Sequence, residues 1–351
     1  MTVTVTIHSS LKKAPPSPTH RVTLNYYAPL QYGSLSLSCG MQQLCALTMS
    51  PKPSAAVIPV IYSDTDALKR KNPHTDALKR KNPHDRDARI MFEPVAHQYF
   101  VDGDTNPDAF TSVTTWVHSQ FEAFHADAVI DKMMASKSWA ANDKYIGKTR
   151  DQIKAEWDLN RDQAAAAGTD MHAAIELYYN TPSVTAYPDT PEFRYFLNFD
   201  TAFNKTLRPY RTEWTVFHEE AHLSGSIDIV FENLDPATGS PTGTLSIYDW
   251  KRCKQIVQNN PFNKWATTPG LEHVPDTNYW HYCLQLNIYQ FILQEKYGKT
   301  VTDLYVVCCH PDNVNHDYQR IKVADMQADM HVLGVPALAC DTPKSSLCNS
   351  E

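Results

Sequence analysis

The 351-residue sequence contains no run of about 18 uninterrupted apolar residues. Its longest apolar stretches are of strand or half-helix length, which excludes a membrane-spanning helix and gives no reason to expect a membrane partner. No C-x-x-C pair occurs: the eight cysteines (Cys39, Cys45, Cys253, Cys283, Cys308, Cys309, Cys340 and Cys348) follow no regular spacing. That scatter argues against a zinc ribbon and a disulfide framework and fits a reducing, intracellular setting. An iron–sulfur cluster is disfavoured as well, because Cys308 and Cys309 are adjacent within an apolar strand-like run, where thiols are buried. There is no G-x-x-x-x-G-K-[ST] phosphate loop, so any ATP-driven motor would be a separate partner.

Acidic residues are missing from the start of the chain. None precedes Asp64, and the Ser, Thr and Pro content of that stretch opposes packing. Residues 1–90 read as a disordered or targeting segment, leaving nuclear and mitochondrial or other organellar placement open. Within it TDALKRKNPH occurs twice without change, at Thr65–His74 and Thr75–His84. A ten-residue period is too short for a solenoid unit, so the copies read as a basic linker or arm over 65–84. Residues 1–90 carry 12 Lys/Arg against 5 Asp/Glu, and the remainder 20 against 34. The body is therefore acidic, which disfavours tight binding of a polyanion through charge alone.

What is present from about Ile90 onward is aromatic and apolar periodicity. The folded domain is expected over 91–340, followed by a flexible tail at 341–351. Tyr99 and Val101 alternate as in a strand, ahead of an Asp102-Gly103 turn. Ser112 caps an expected helix reaching Phe124, with Val113, Val117, Phe121 and Phe124 as its core face. Thr149 and Gln152 form a capping-box pattern for a helix expected to stop near Gly168. A fresh helix capped by Thr169 would then carry His172 and Glu176 on one face as far as Tyr179. Taken alone, such a pair is more often a surface ion pair than a ligand set.

Strands are expected near 211–219, 222–232, 245–251 and 301–309. Asp228 stands out in the second, flanked by Ile227, Ile229, Val230 and Phe231. A carboxylate there costs several kcal/mol, roughly, unless something compensates its charge, and a divalent cation is the simplest candidate. In Asp249-Trp250-Lys251, residues two apart on a strand share a face, so Asp249 and Lys251 project together and Trp250 points to the core. Two carboxylates and an ammonium suit phosphodiester hydrolysis with one or two Mg²⁺ or Mn²⁺ ions. A long helix over 279–297 displays Gln285 and Tyr289 one turn apart.

In order, G-T-x-x-H (Gly168 to His172), G-S-I-D (Gly225 to Asp228), D-W-K (Asp249 to Lys251) and Q-x-x-x-Y (Gln285 to Tyr289) resemble the RecB-like exonuclease branch of the PD-(D/E)XK nuclease superfamily. The resemblance spans about 92–335, with Ile227 where the name motif has proline. It implies an α/β fold: a restriction-endonuclease-like α/β/α core with a central mixed sheet of about four strands flanked by helices. It implies metal ligation by His172, Asp228, Asp249 and the Trp250 carbonyl, catalysis by Asp228, Asp249 and Lys251, and substrate contacts from Gln285 and Tyr289. Glu176 and Glu213 are accessory carboxylates on this reading. The implied activity is a Mg²⁺- or Mn²⁺-dependent deoxyribonuclease in DNA repair, recombination or replication. The acidic body favours single strands or free ends of DNA as substrate, with RNA still open. A catalytically silent nucleic-acid-binding protein of the same fold and a phosphoesterase of small molecules are the alternatives.

Overall fold

The computed structural model describes residues 76–184 and 187–334. The first repeat copy, everything before it and the tail at 341–351 lie outside the described residues. Packing begins ahead of the boundary expected near Ile90. Helix α1 (Ala77–Lys81) buries Leu78, whose amide donates to Asn180 Oδ1 at 3.0 Å. A 3-10 turn over Asp85–Ala88 follows, in which His84 Nδ1 accepts the Arg86 amide and Asp87 Oδ2 accepts the His84 amide. Arg211, buried, donates to Asp87 Oδ2 at 2.8 Å and to the Asn82 carbonyl at 2.9 Å. The second repeat copy is thus fastened to the domain by the buried Leu78 and by polar contacts of Leu78, Asn82 and His84 with Asn180, Tyr210, Arg211 and Tyr297, although its composition alone reads as linker.

Strands β1 (Ile90–Glu93) and β2 (Gln98–Val101) form an antiparallel hairpin that packs Ile90, Tyr99 and Val101 on Phe217. The short β3 (Thr111–Ser112) leads into α2 (Val113–Ser119), where Ser112 Oγ accepts the Thr115 amide at 3.1 Å. Val113, Val117 and Phe121 are buried as expected, but the helix stops before Phe124, which is 72% exposed. Phe124 is therefore not core: once the helix ends, its spacing no longer returns a side chain to the same face.

Helix α3 (Ala126–Met134) precedes α4 (Arg150–Asn180), which starts on the expected Thr149/Gln152 capping box. No break occurs at Gly168; α4 runs for 31 residues straight through it. Ala164 to Ala167 are strong helix formers, and a single interior glycine costs only about 1 kcal/mol. Thr169 Oγ1 bonds back to the Ala165 carbonyl at 3.0 Å instead of capping a new helix. Helix α5 (Pro191–Phe203) escapes the periodicity reading, yet it has a Thr190 cap and a proline in its first turn.

The long hairpin β4 (Leu207–His218) and β5 (Leu223–Leu234) continues into β6 (Pro241–Lys251), antiparallel to β5. Helix α6 (Asn278–Tyr297) carries the chain back, so that β7 (Val301–Cys308) lies parallel to β6. β8 (Gln319–Lys322) closes one edge, and β3 pairs in parallel with the first residues of β5. The result is a six-stranded mixed sheet rather than one of about four. The two additional strands are only two and four residues long, too short to show alternation.

Each face of the sheet carries its own core. On one side α2 and α6 pack Val117, Leu284 and Ile288 against Trp214, Ile247 and Val306. On the other, α4 and α5 pack Ile175, Phe196 and Phe199 against Phe231, Tyr248 and Trp250. The architecture is α/β/α. No described helix is long and apolar enough to cross a membrane. Cys253, Cys283, Cys308 and Cys309 are free thiols, and the other four cysteines lie outside the described residues.

Candidate active site

Asp228 and Asp249 come from neighbouring antiparallel strands, β5 and β6. The Asp228 Oδ2 accepts the Trp250 amide at 2.9 Å, which ties the carboxylate to the backbone of the D-W-K segment. Trp250 turns away and is buried edge-on between Phe196 and Phe199, with ring centroids 5.5 and 5.2 Å away. That anchor leaves Asp249 and Lys251 together on the opposite face, with Lys251 Nζ 2.5 Å from Asp249 Oδ2. The ammonium also lies 5.0 Å from the centre of the Tyr282 ring.

His172 reaches the same place from α4, on the far side of the sheet from α6. Its Nε2 is 2.9 Å from the Trp250 carbonyl, which can only accept, so Nε2 carries the hydrogen. Its Nδ1 then faces Asp228 Oδ2 at 3.6 Å and Glu213 Oε1 at 4.0 Å. Fixing one imidazole nitrogen on a carbonyl while the other turns to a cluster of acids is the usual orientation of a metal-binding histidine.

Glu213 owes its place to an irregular backbone. It adopts φ +42° inside β4, between the pairs Thr212–Ile229 and Trp214–Ile227, and so stands opposite Asp228. A left-handed glutamate within a strand costs about 1–3 kcal/mol and has to be held by its surroundings. Here Ser226 Oγ donates to Glu213 Oε2 at 3.0 Å. One ligand atom from each of His172, Glu213 and Asp228 lies within 4.8 Å of the others, a spacing that could hold one cation.

The electrostatics are those of crowded, buried carboxylates. Burial pushes the Asp249 carboxyl up to about 7; Lys251 opposes the shift and Asp228 adds to it. Glu213 is held well above the usual carboxylate range, first by burial and then by Asp228 and Glu176, although 37% of its side chain still reaches solvent. Glu176, one helical turn from His172, is raised to about 7 by burial and secondarily by Asp76. Burial works against the Lys251 charge, but Asp249 and Asp228 outweigh it and hold the ammonium above the ordinary lysine range. Carboxylates that resist ionisation when crowded this way are relieved by a divalent cation.

On α6, Tyr289 is buried and takes a hydrogen bond with Gln285. Its ring lies so close to β5 that a Cβ at Gly225 would meet Tyr289 Oη at 2.6 Å. The glycine of the G-S-I-D segment is thus needed for helix–sheet approach. No family model matches the chain, and no curated protein does.

His172, Glu176, Glu213, Asp228, Asp249, Lys251, Gln285 and Tyr289 fall in this one region, some in different relations than expected, whereas Gly168 and Thr169 of the G-T-x-x-H segment stay within α4. Asp249 is engaged by Lys251 and lies outside the His172–Glu213–Asp228 triad. The Trp250 carbonyl, expected as a ligand, is taken by His172. Glu213, expected only as an accessory, is a full member of the triad.

Proposed function

We propose that the chain is a Mg²⁺- or Mn²⁺-dependent nuclease of the PD-(D/E)XK type, RecB-like branch. The observation that carries this reading is the convergence of Asp228, Asp249 and Lys251 from two paired strands with His172 from the opposite helix layer. His172 Nδ1, Glu213 and Asp228 would hold the ion, and Asp249 would join them on releasing Lys251. A bound divalent ion would lower the pKa of a water and neutralise charge on the phosphate. Lys251 keeps its proton and places a fixed cation beside the carboxylates, suited to stabilising charge that develops on phosphate oxygens.

The substrate this reading favours is DNA, as a single strand or a free end, in repair, recombination or replication. The acidic body supports that choice, because a strand threaded past the site needs less basic surface than a duplex lying in a groove. The test is incubation of end-labelled single- and double-stranded DNA and RNA with Mg²⁺, Mn²⁺ or a chelator. The expected result is metal-dependent cleavage, fastest on single-stranded DNA. Products that form equally in the chelator, or no products with either metal, contradict the reading.

A further inference from the structure

The connection from β6 to α6 leaves the candidate site directly after Lys251 and holds two large aromatic side chains in solvent. Phe262 is 79% exposed and Trp265 44% exposed. Neither sits on a slack loop. Asn260 Oδ1 accepts the Phe262 amide at 2.7 Å, and Asn263, at φ +53°, accepts the Trp265 indole N–H at 3.2 Å. Asn260 Nδ2 is itself bonded to the Asp276 carbonyl, and the Ala266 amide donates to the Val274 carbonyl at 2.8 Å.

The connection lies along the end of α2. The Thr267 amide donates to the Gln120 carbonyl at 2.8 Å, and Lys264 Nζ meets Glu122 Oε2 at 2.7 Å. Phe124, 72% exposed and two residues beyond Glu122, has its ring 6.2 Å from Trp157 on α4. The connection is tied to the start of α6 beside the site: the Asp276 amide donates to the Lys264 carbonyl at 3.0 Å, and His281 Nε2 lies 3.0 Å from Asp276 Oδ1. One residue on, Tyr282 lies with its ring centre 5.0 Å from Lys251 Nζ. The basic groups nearby are already committed, Lys264 to Glu122 and Lys254 to Asp312. A polyanion would gain little here from charge, whereas flat apolar faces offer every base the same stacking surface.

We propose that Phe262 and Trp265 form a stacking platform for unpaired bases of the strand entering the site, binding single-stranded nucleic acid by its bases more than by its phosphates. The proposal rests on the nuclease reading. The test is fluorescence anisotropy of a labelled oligothymidylate of about 12 nucleotides with the full chain in chelator, across a range of salt, alongside cleavage of the same strand with Mn²⁺. Phe262→Ala with Trp265→Ala should weaken binding by at least about tenfold, and Phe262→Ala alone, at the most exposed position, by several-fold. Wild-type affinity should fall only shallowly with salt, with a slope equivalent to about one or two phosphates.

Wild-type cleavage and binding with unchanged affinity in both variants overturns the platform and leaves the nuclease reading intact. Neither binding nor cleavage by the wild type overturns both. A wild-type dimer that the double variant converts to monomer would assign the face to a second copy of the chain and overturn the platform as well.

Discussion

Asp249 is 2% exposed beside Lys251, and burial raises its carboxyl to about 7 against roughly 3.9 in an unfolded chain. The folded state then binds more protons than the unfolded state between those values. Asp249's contribution to stability is greatest below about pH 4 and is lost as pH rises through 7. Asp249→Asn removes that titration, so in chelator its melting temperature should rise relative to wild type between pH 5 and pH 8. A constant difference across that range would contradict the raised carboxyl. The same protons compete with metal, so cleavage should fall below about pH 7 and extra Mn²⁺ should move that acid limb downward. An acid limb unaffected by Mn²⁺ would separate the carboxylates from metal binding.

Gly225 sets a second limit at this scale. Gly225→Ala drives a methyl into the buried Tyr289 ring, which would have to shift within the core between α6 and β5. The expected loss is about 1–3 kcal/mol, read as a lower urea midpoint, and an unchanged midpoint would refute the close packing. Asp228, Asp249 and Lys251 are legible in the sequence because charged residues inside apolar strand patterns need a reason. Glu213 is less so. Its place in the triad depends on a left-handed backbone at one position, and β4 offers neither glycine nor asparagine there to signal it.

At the scale of elements, the caps are written locally and are found where the sequence puts them, at Ser112 and Thr149. Glycine is an ambiguous signal. Gly168 reads as a stop, yet the alanines before it and the packing of Met171 and Ile175 on the sheet carry α4 through. Phe124 is misread for a related reason: apolar spacing continues past Ser119 although the helix does not. The attachment of α1 is invisible to periodicity because its contacts are long-range. The buried pair of Arg211 with Asp87 is its main fastening, with side chains 2% and 9% exposed. Asp87→Ala leaves a buried guanidinium without its carboxylate and should cost about 3–5 kcal/mol by urea unfolding. A loss below about 1 kcal/mol would show that the segment around α1 is not fastened this way.

For the whole molecule, the two-layer arrangement explains how weakly informative segments make a site. His172 comes from one helix layer, Tyr289 from the other, and the two acids with their lysine from the sheet between them. The sheet's order places β6 between β5 and β7, so D-W-K lies at the interior of the sheet, where Trp250 can be buried on both flanks. Charge balance reads at this scale too: the body is acidic, and Lys254 and Lys264 near the exposed rings are paired with Asp312 and Glu122.

The most direct measurement is the single-turnover cleavage rate of end-labelled single-stranded DNA with saturating Mn²⁺, for wild type, Asp249→Asn and Lys251→Ala, each shown to be folded by its unfolding midpoint. The rate should fall by at least about two orders of magnitude in both variants. Cleavage that survives both substitutions would place the chemistry elsewhere and contradict the account.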